Sequence, residues 1–321
     1  MSSKDVTLII VSGGDIASTN QADFLLQKFD WKVIAKVEGL DAYSYQEIRM
    51  WIHPGGVLFE DDLDLRWQKE TGERVIEAIF PSRHSAKSGN PSLTLHPIGV
   101  PQLDYDAIPP YGGKSGDAPP PSPRLASWWR NMLESVSGTE IESEFDLSLE
   151  VTHHGPWISV PSIFVEVGST DKTWGHKGAA EILADLIAKG LGMNGNNEYG
   201  KWDSELNHGE TVVVTLGGGH YAPRANKLGA VEGIWIGHML ATYALPFTAP
   251  ELDGEQPGGN WRNSLTSAIN STKNAFPSGN IVCSMDKKAF KGWQRQAIRE
   301  YLQELQIPLL NTKSILELAK K

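Results

Sequence analysis

The segment that most constrains this chain is Val212-Val213-Val214-Thr215-Leu216, because three consecutive glycines, Gly217 to Gly219, follow it and present His220. A short apolar run rich in β-branched residues reads as a buried strand. Glycine tolerates positive φ, so the strand ends abruptly and the backbone there can approach a ligand closely. In an α/β protein such a strand end is where a site forms. Taken alone, the stretch reads equally well as a strand-ending turn with a surface histidine.

Other segments share this character. Phe145, Leu147, Leu149 and Val151 alternate with polar residues, which predicts a half-buried strand that breaks at His153-His154-Gly155-Pro156. Ser162 to Val167 predicts a further strand, ending at Gly168, in which Glu166 is the only charge. A carboxylate in a core strand is costly unless paired or coordinated, so Glu166 is an ion-pair partner or a working acid. Strands are also expected over Val6–Val11, Val75–Phe80, Leu93–His96 and Asn280–Met285, and helices over Ala22–Phe29, Trp128–Val136, Ala179–Ile187 and Arg262–Phe276. Repeated strand, turn and helix predicts an α/β fold with a mixed, mostly parallel sheet between helical layers, a three-layer α/β/α sandwich. The reading is one domain over 1–321 with a Pro-rich surface insert at about 105–124; the alternative is a separate N-terminal subdomain over about 1–103.

Thr152-His153-His154-Gly155-Pro156, Glu166-Val167-Gly168-Ser169-Thr170 and Gly217 to Arg224 together resemble the archaeal and plant type of D-aminoacyl-tRNA deacylase. The likeness continues through Glu60 to Trp67, Ser82-Arg83-His84, Leu95 to Gly99, Gly258 to Arg262 and Phe290 to Gln294, and the Pro-rich insert is closest to the plant-like branch. The resemblance implies a phosphorylase- or hydrolase-like fold, hydrolysis of the ester joining a D-amino acid to tRNA, and zinc as cofactor, at one or two ions per chain. Two departures stand out: Ile16 replaces an expected proline, and Lys287 stands where the family carries histidine, so no imidazole role passes to that position.

Zinc takes N and O ligands and keeps a position open for water. No His-Glu-x-x-His helix is present, so a site must be assembled from distant strand ends, with His84, His153, Glu166, His220 and His238 as candidate ligands. His154 is the candidate general base, and the amides of Gly217, Gly218 and Gly219 are candidate oxyanion donors beside the catalytic Glu166. His53, His176 and His208 read as surface groups in polar surroundings. No Gly-x-Ser-x-Gly motif occurs, and the single cysteine, Cys283, lies in an apolar run unsuited to a nucleophile.

A net charge of −10 argues against undirected nucleic-acid binding, yet a local patch suffices for a directed contact. Lys287, Lys291, Arg295 and Arg299 recur every four residues, which predicts one basic helical stripe as the tRNA-binding face. One cysteine excludes an intramolecular disulfide and fits a reducing compartment, and no run approaches a membrane span, so the expected location is the cytoplasm with aminoacylated tRNA as partner, no membrane and no obligate protein partner. A metallo-exopeptidase or amidohydrolase, and a non-catalytic tRNA- or phosphate-binding protein, are the competing classes.

Overall fold

A computed structural model describes residues 3–195, 197–252 and 255–319. The strands, in chain order, are β1 (Asp5–Ser12), β2 (Lys32–Val33), β3 (Ala42–Tyr45), β4 (Ile48–His53), β5 (Arg74–Arg83), β6 (Ser92–His96), β7 (Asp146–Leu149) and β8 (Ser162–Gly168). They form one sheet in the order β2-β3-β4-β1-β5-β8-β6-β7. A second sheet holds β9 (Thr211–Leu216), β10 (Ile234–Leu240) and β11 (Asn280–Met285) in the order β10-β9-β11, all parallel. The first sheet is parallel across β4, β1, β5 and β8, and again between β6 and β7. It is antiparallel between β6 and β8 and at the β2-β3-β4 edge. The mixed, mostly parallel α/β architecture is the expected one; the division into two sheets is what the periodicity did not show.

The helices are α1 (Ile16–Lys28), α2 (Leu63–Thr71), α3 (Leu125–Val136), α4 (Ile141–Glu144), α5 (Asp171–Trp174), α6 (Lys177–Gly190), α7 (Pro223–Gly229), α8 (Trp261–Ala275), α9 (Gly292–Glu304) and α10 (Thr312–Leu318). Layering follows from side-chain alternation. On β1, Val6, Leu8 and Ile10 pack with Leu63 and Trp67 of α2, whereas Ile9 and Val11 pack with Ala17 and Leu25 of α1. A strand buried on both faces in this way must be covered by helices on both sides. Burying each such Leu, Ile or Trp contributes about 1.5–3 kcal/mol. Helix α1 starts earlier than expected because Asp15 caps it, its carboxylate accepting the Ala17 N–H at 2.9 Å.

Two expectations are corrected here. The Pro-rich segment is a surface loop only in its first half, where Tyr105, Ile108 and Tyr111 are exposed; in its second half Pro119, Ser122 and Arg124 are buried against the body. Proline carries no backbone N–H, so such a segment can be packed down with fewer donors left to satisfy. The basic residues do not share one helix either. Lys287 lies in a 3-10 turn over Lys287–Ala289, Lys291 is the N-cap of α9, and only Arg295 and Arg299 lie within the helix. Arg295 folds back to donate to the carbonyls of Lys287 and Phe290 at 3.0 and 2.9 Å. The opposite side of α9 docks as expected through Ala297, Ile298 and Leu302.

Candidate functional site

Register builds the site. Glu166 of β8 pairs with Ser82 of β5 and with Thr94 of β6. Residues two apart on a strand share a face, so His84 and His96, each two beyond those partners, converge diagonally on Glu166. His84 Nδ1 lies 3.6 Å and His96 Nε2 3.5 Å from Glu166 Oε2. Glu150, directly after β7, is fully buried, its N–H donating to the Leu95 carbonyl. One of its oxygens is 2.8 Å from His220 Nε2 and 3.7 Å from His153 Nε2; the other is 3.1 Å from His84 Nδ1.

The glycine turn delivers His220 to this cluster. Gly217 has φ +90°, and a Cβ there would stand 2.6 Å from the Phe290 ring, so only glycine fits. The same turn corrects the oxyanion expectation at two positions: the Gly217 N–H donates to the Leu240 carbonyl at 2.7 Å, and the Gly218 N–H to Thr242 Oγ1 at 3.0 Å. Neither amide is available to a substrate. Gly155 plays a comparable steric part beside His154, since a Cβ there would stand 2.2 Å from the Gly113 backbone nitrogen.

Three imidazoles are oriented by carbonyls. Nδ1 of His96 bonds Pro97 O at 3.1 Å, that of His153 bonds Val151 O at 2.7 Å, and that of His154 bonds Gly155 O at 2.6 Å. A neutral ring donating at Nδ1 must carry its lone pair on Nε2, the tautomer a metal ligand requires. His96 Nε2 and Glu150 Oε1 are buried with no hydrogen-bond partner. Although Glu150 Oε1 is close to His84, the pair lies outside hydrogen-bond geometry. Ligand atoms about 2.0–2.2 Å from one tetrahedral ion stand about 3.4 Å apart, and the His84–Glu150, His84–Glu166, His96–Glu166 and His153–Glu150 separations span 3.1 to 3.7 Å. Three overlapping groups could hold a metal ion: His84 with Glu150 and His220; His96 with Glu150 and Glu166; and His96 with His153 and His154.

Electrostatics divide the cluster. Burial alone would lower the His84 and His96 pKa values, but the Glu166 and Glu150 carboxylates raise both above the ordinary imidazole range. His153 is pushed well below that range by burial and by the neighbouring His96, and His154 down to about 3 for the same reasons. Burial would raise Glu166, yet His96 and His84 hold it well below the usual carboxylate range.

Among the expected ligands, the structure gathers His84, His153, Glu166 and His220, and sets His154 beside them. His238 is not among them. It is fully buried, and its two ring nitrogens bond Thr152 Oγ1 at 2.8 Å and Pro119 O at 3.0 Å, which leaves no lone pair for a metal. His53 is likewise not a surface group: it is 3% exposed and packs on the Trp51 ring. His208 is exposed and His176 caps α6, as their polar surroundings indicated. Glu150 and His96 were missed. The alternation of Phe145 to Val151 put Glu150 on a polar face, but that face is covered by the glycine turn, where Glu150 bridges to Tyr221.

The cluster opens on a cavity of about 530 Å³ at the carboxyl ends of β1 and β5, lined also by Asp15, Val57, Leu58, Arg83 and Tyr111. That position is the usual one for a ligand in an open α/β sheet. Cys283 is buried among apolar neighbours, which raises its thiol pKa and keeps it unreactive.

A sequence model of the D-aminoacyl-tRNA deacylase family matches residues 71–310. The chain is 43% identical over 93% of its length, and 96% of the relative's, to the D-aminoacyl-tRNA deacylase of Arabidopsis thaliana. It is 30% identical over 96% of its length, and 93% of the relative's, to the enzyme of that name from Methanosarcina mazei. Among solved structures, the crystal structure of a conserved protein of unknown function covers 98% of this chain and 97% of its own, at 25% identity and a TM-score of 0.77. The chain belongs to the D-aminoacyl-tRNA deacylase family.

Proposed function

We propose that this protein hydrolyses the ester of D-aminoacyl-tRNA, releasing the free D-amino acid and tRNA, at the histidine–carboxylate cluster. The observation that carries the reading is the gathering of His84, His153, His154, Glu166 and His220 on one cavity, with His96 Nε2 and Glu150 Oε1 unpartnered directly behind them. Unpartnered buried atoms also occur elsewhere in the molecule, at Asp64 Oδ1 for example; what supports a ligand here is that these two sit among groups able to share a metal ion. The family match supplies the substrate class.

The donor set suits zinc: imidazoles and carboxylates mostly at ion-sharing separations, with His84 and His96 giving up the proton that the carboxylates favour and His220 exchanging its 2.8 Å hydrogen bond to Glu150 for the ion. His84, His220 and Glu150 would hold it, with His96, His153 and Glu166 as adjoining donors. Bound zinc supplies Lewis acidity and a water whose pKa is near 7. His154, with its pKa near 3, is too weak a base to carry the proton at neutral pH; its Nε2 lone pair instead accepts a hydrogen bond from the attacking water and aims it. The Tyr221 hydroxyl, 3.3 Å from His84 Nε2, fixes that ring. The cavity is within the about 300–1,000 Å³ of small-ligand pockets and takes an aminoacyl group. The basic residues before and on α9 remain the proposed tRNA contact, with cytoplasmic placement.

Incubation with matched D- and L-tyrosyl-tRNA tests the reading. Release of the D-amino acid with the L-ester spared is the expected result; equal rates on both would sink it.

A further inference from the structure

Arg83 has no part in the cluster, yet it lines the same cavity and immediately precedes His84. Its side chain is exposed and, among the described residues, has neither a carboxylate within 4.0 Å nor a hydrogen-bond acceptor. It is nevertheless held in place. The guanidinium lies 4.6 Å over the ring of Trp174, whose indole N–H donates to the His84 carbonyl at 2.7 Å. The backbone N–H of Arg83 donates at 2.8 Å to Asp15, a buried carboxylate that also caps α1. A planar cation stacked on an aromatic ring keeps its edge donors free and loses little freedom on binding an anion.

The chain is acidic overall, with a net charge of −10, so an unpaired cation fixed beside the reacting centre is not a by-product of a basic surface. The substrate class narrows what it meets. In an aminoacyl ester the amino-acid carboxylate is consumed in the ester bond and carries no charge. The nearest anion is the phosphodiester on the 5′ side of the terminal ribose, one sugar away from the scissile bond. We infer that Arg83, held by Trp174, binds the 5′-phosphate of the terminal nucleotide and positions the ester over the histidine–carboxylate cluster. Arginine matches the two free oxygens of a phosphate with paired N–H donors. The contact reads the polynucleotide end and not the amino acid, so it adds to tRNA recognition independently of chirality. This inference rests on the deacylase reading above, which supplies the ester and its phosphate.

The test compares 3′-O-D-tyrosyl-adenosine with and without a 5′-phosphate. The native protein should prefer the phosphorylated ester by about 10- to 100-fold in kcat/KM, the range of a charge-assisted hydrogen-bonded contact. Arg83→Ala and Arg83→Gln should reduce that preference to near unity, and Arg83→Lys should restore part of it. A second arm needs no turnover: fluorescence anisotropy of an uncharged RNA minihelix ending in CCA should show weaker binding to Arg83→Ala than to the native protein, with the difference abolished when the terminal phosphodiester is replaced by a neutral methylphosphonate. An intact phosphate preference in Arg83→Ala, or unchanged minihelix affinity, would overturn the assignment. A native protein that hydrolyses neither ester but still shows the Arg83-dependent binding would remove the deacylase reading and keep the phosphate site.

Discussion

Two buried charged centres in this molecule are built from the same kinds of group and end in opposite states. Around Arg124, which is fully buried, Nε donates to Glu77 at 2.8 Å, one terminal nitrogen to Glu198 at 2.6 Å, and the other to Gly190 O at 2.8 Å. Ser122 completes Glu77 with a hydrogen bond of 2.8 Å. Around Glu150 and Glu166, by contrast, His220 closes a hydrogen bond to one Glu150 oxygen at 2.8 Å, but the other Glu150 oxygen and His96 Nε2 approach their neighbours without closing theirs and remain partnerless. The first centre is satisfied by protein alone and ties the segment before α3 to β5 and the end of α6. The second leaves two of its buried atoms open. Burial of charge therefore does not mark function, and neither does a lone unpartnered atom, since Asp64 Oδ1 is one too; the mark here is incomplete satisfaction within a cluster of metal-ligating groups.

Breaking each centre should give opposite phenotypes. Arg124→Met leaves Glu77 buried without its partner and should destabilise the fold by about 3–5 kcal/mol in urea denaturation, while kcat per folded molecule stays near that of the native protein. Glu150→Gln and His96→Ala should each lower bound zinc and activity together by more than about 100-fold, since even outer partners of a ligand are worth about 10- to 100-fold. Their metal-free stability should change by less than that of Arg124→Met. If Glu150→Gln retained full activity, the contrast between the two centres would collapse.

His238 sharpens the comparison, because it is a buried histidine that is fully satisfied. Its pKa is lowered to about 3, from burial, against 6.5 for an unperturbed group. Below pH 6.5 the unfolded chain takes up a proton that the folded chain does not, so stability falls as pH falls toward 3. The slope from one such group is about 1.4 kcal/mol per pH unit. His238→Gln should remove that share of the slope between about pH 6 and about pH 4; an unaltered slope would show that the imidazole is charged in the fold.

The smallest effect is expected at the protein surface. Lys291→Glu with Arg295→Glu should raise the KM for charged tRNA by about 3- to 10-fold at unchanged kcat, and flatten the slope of log affinity against log salt by about 0.9 for each phosphate these side chains neutralise. An unchanged KM and salt slope would leave Arg83 and the cavity rim as the RNA-binding surface.

Much of this was readable in the sequence. The runs 212–216 and 162–167 are β9 and β8, and the glycines after β9 do present His220 to the site. What could not be read was which polar strand faces are covered. Glu150 occupies the polar side of an alternating strand, and only the bridge to Tyr221 shows that this side is interior. His96 ends an apolar strand, and its role depends on the β6–β8 register, a pairing between segments far apart in the chain. His238 misled for the complementary reason: a histidine in an apolar strand is a ligand or a satisfied core group according to partners that lie far away in the chain, here Thr152 and Pro119. The four-residue spacing from Lys287 to Arg299 suggested a single helix, but Gly292 opens α9 one residue after its cap, and the turn before it interrupts the stripe.

The central claim is that the unsatisfied cluster holds a metal on which ester hydrolysis depends. Zinc content by elemental analysis, followed alongside D-tyrosyl-tRNA hydrolysis through chelation and stepwise re-addition, measures this most directly. Activity should fall with the zinc removed and return in proportion to the zinc restored, in the native protein but not in Glu150→Gln. Full turnover by protein stripped of metal would contradict the account.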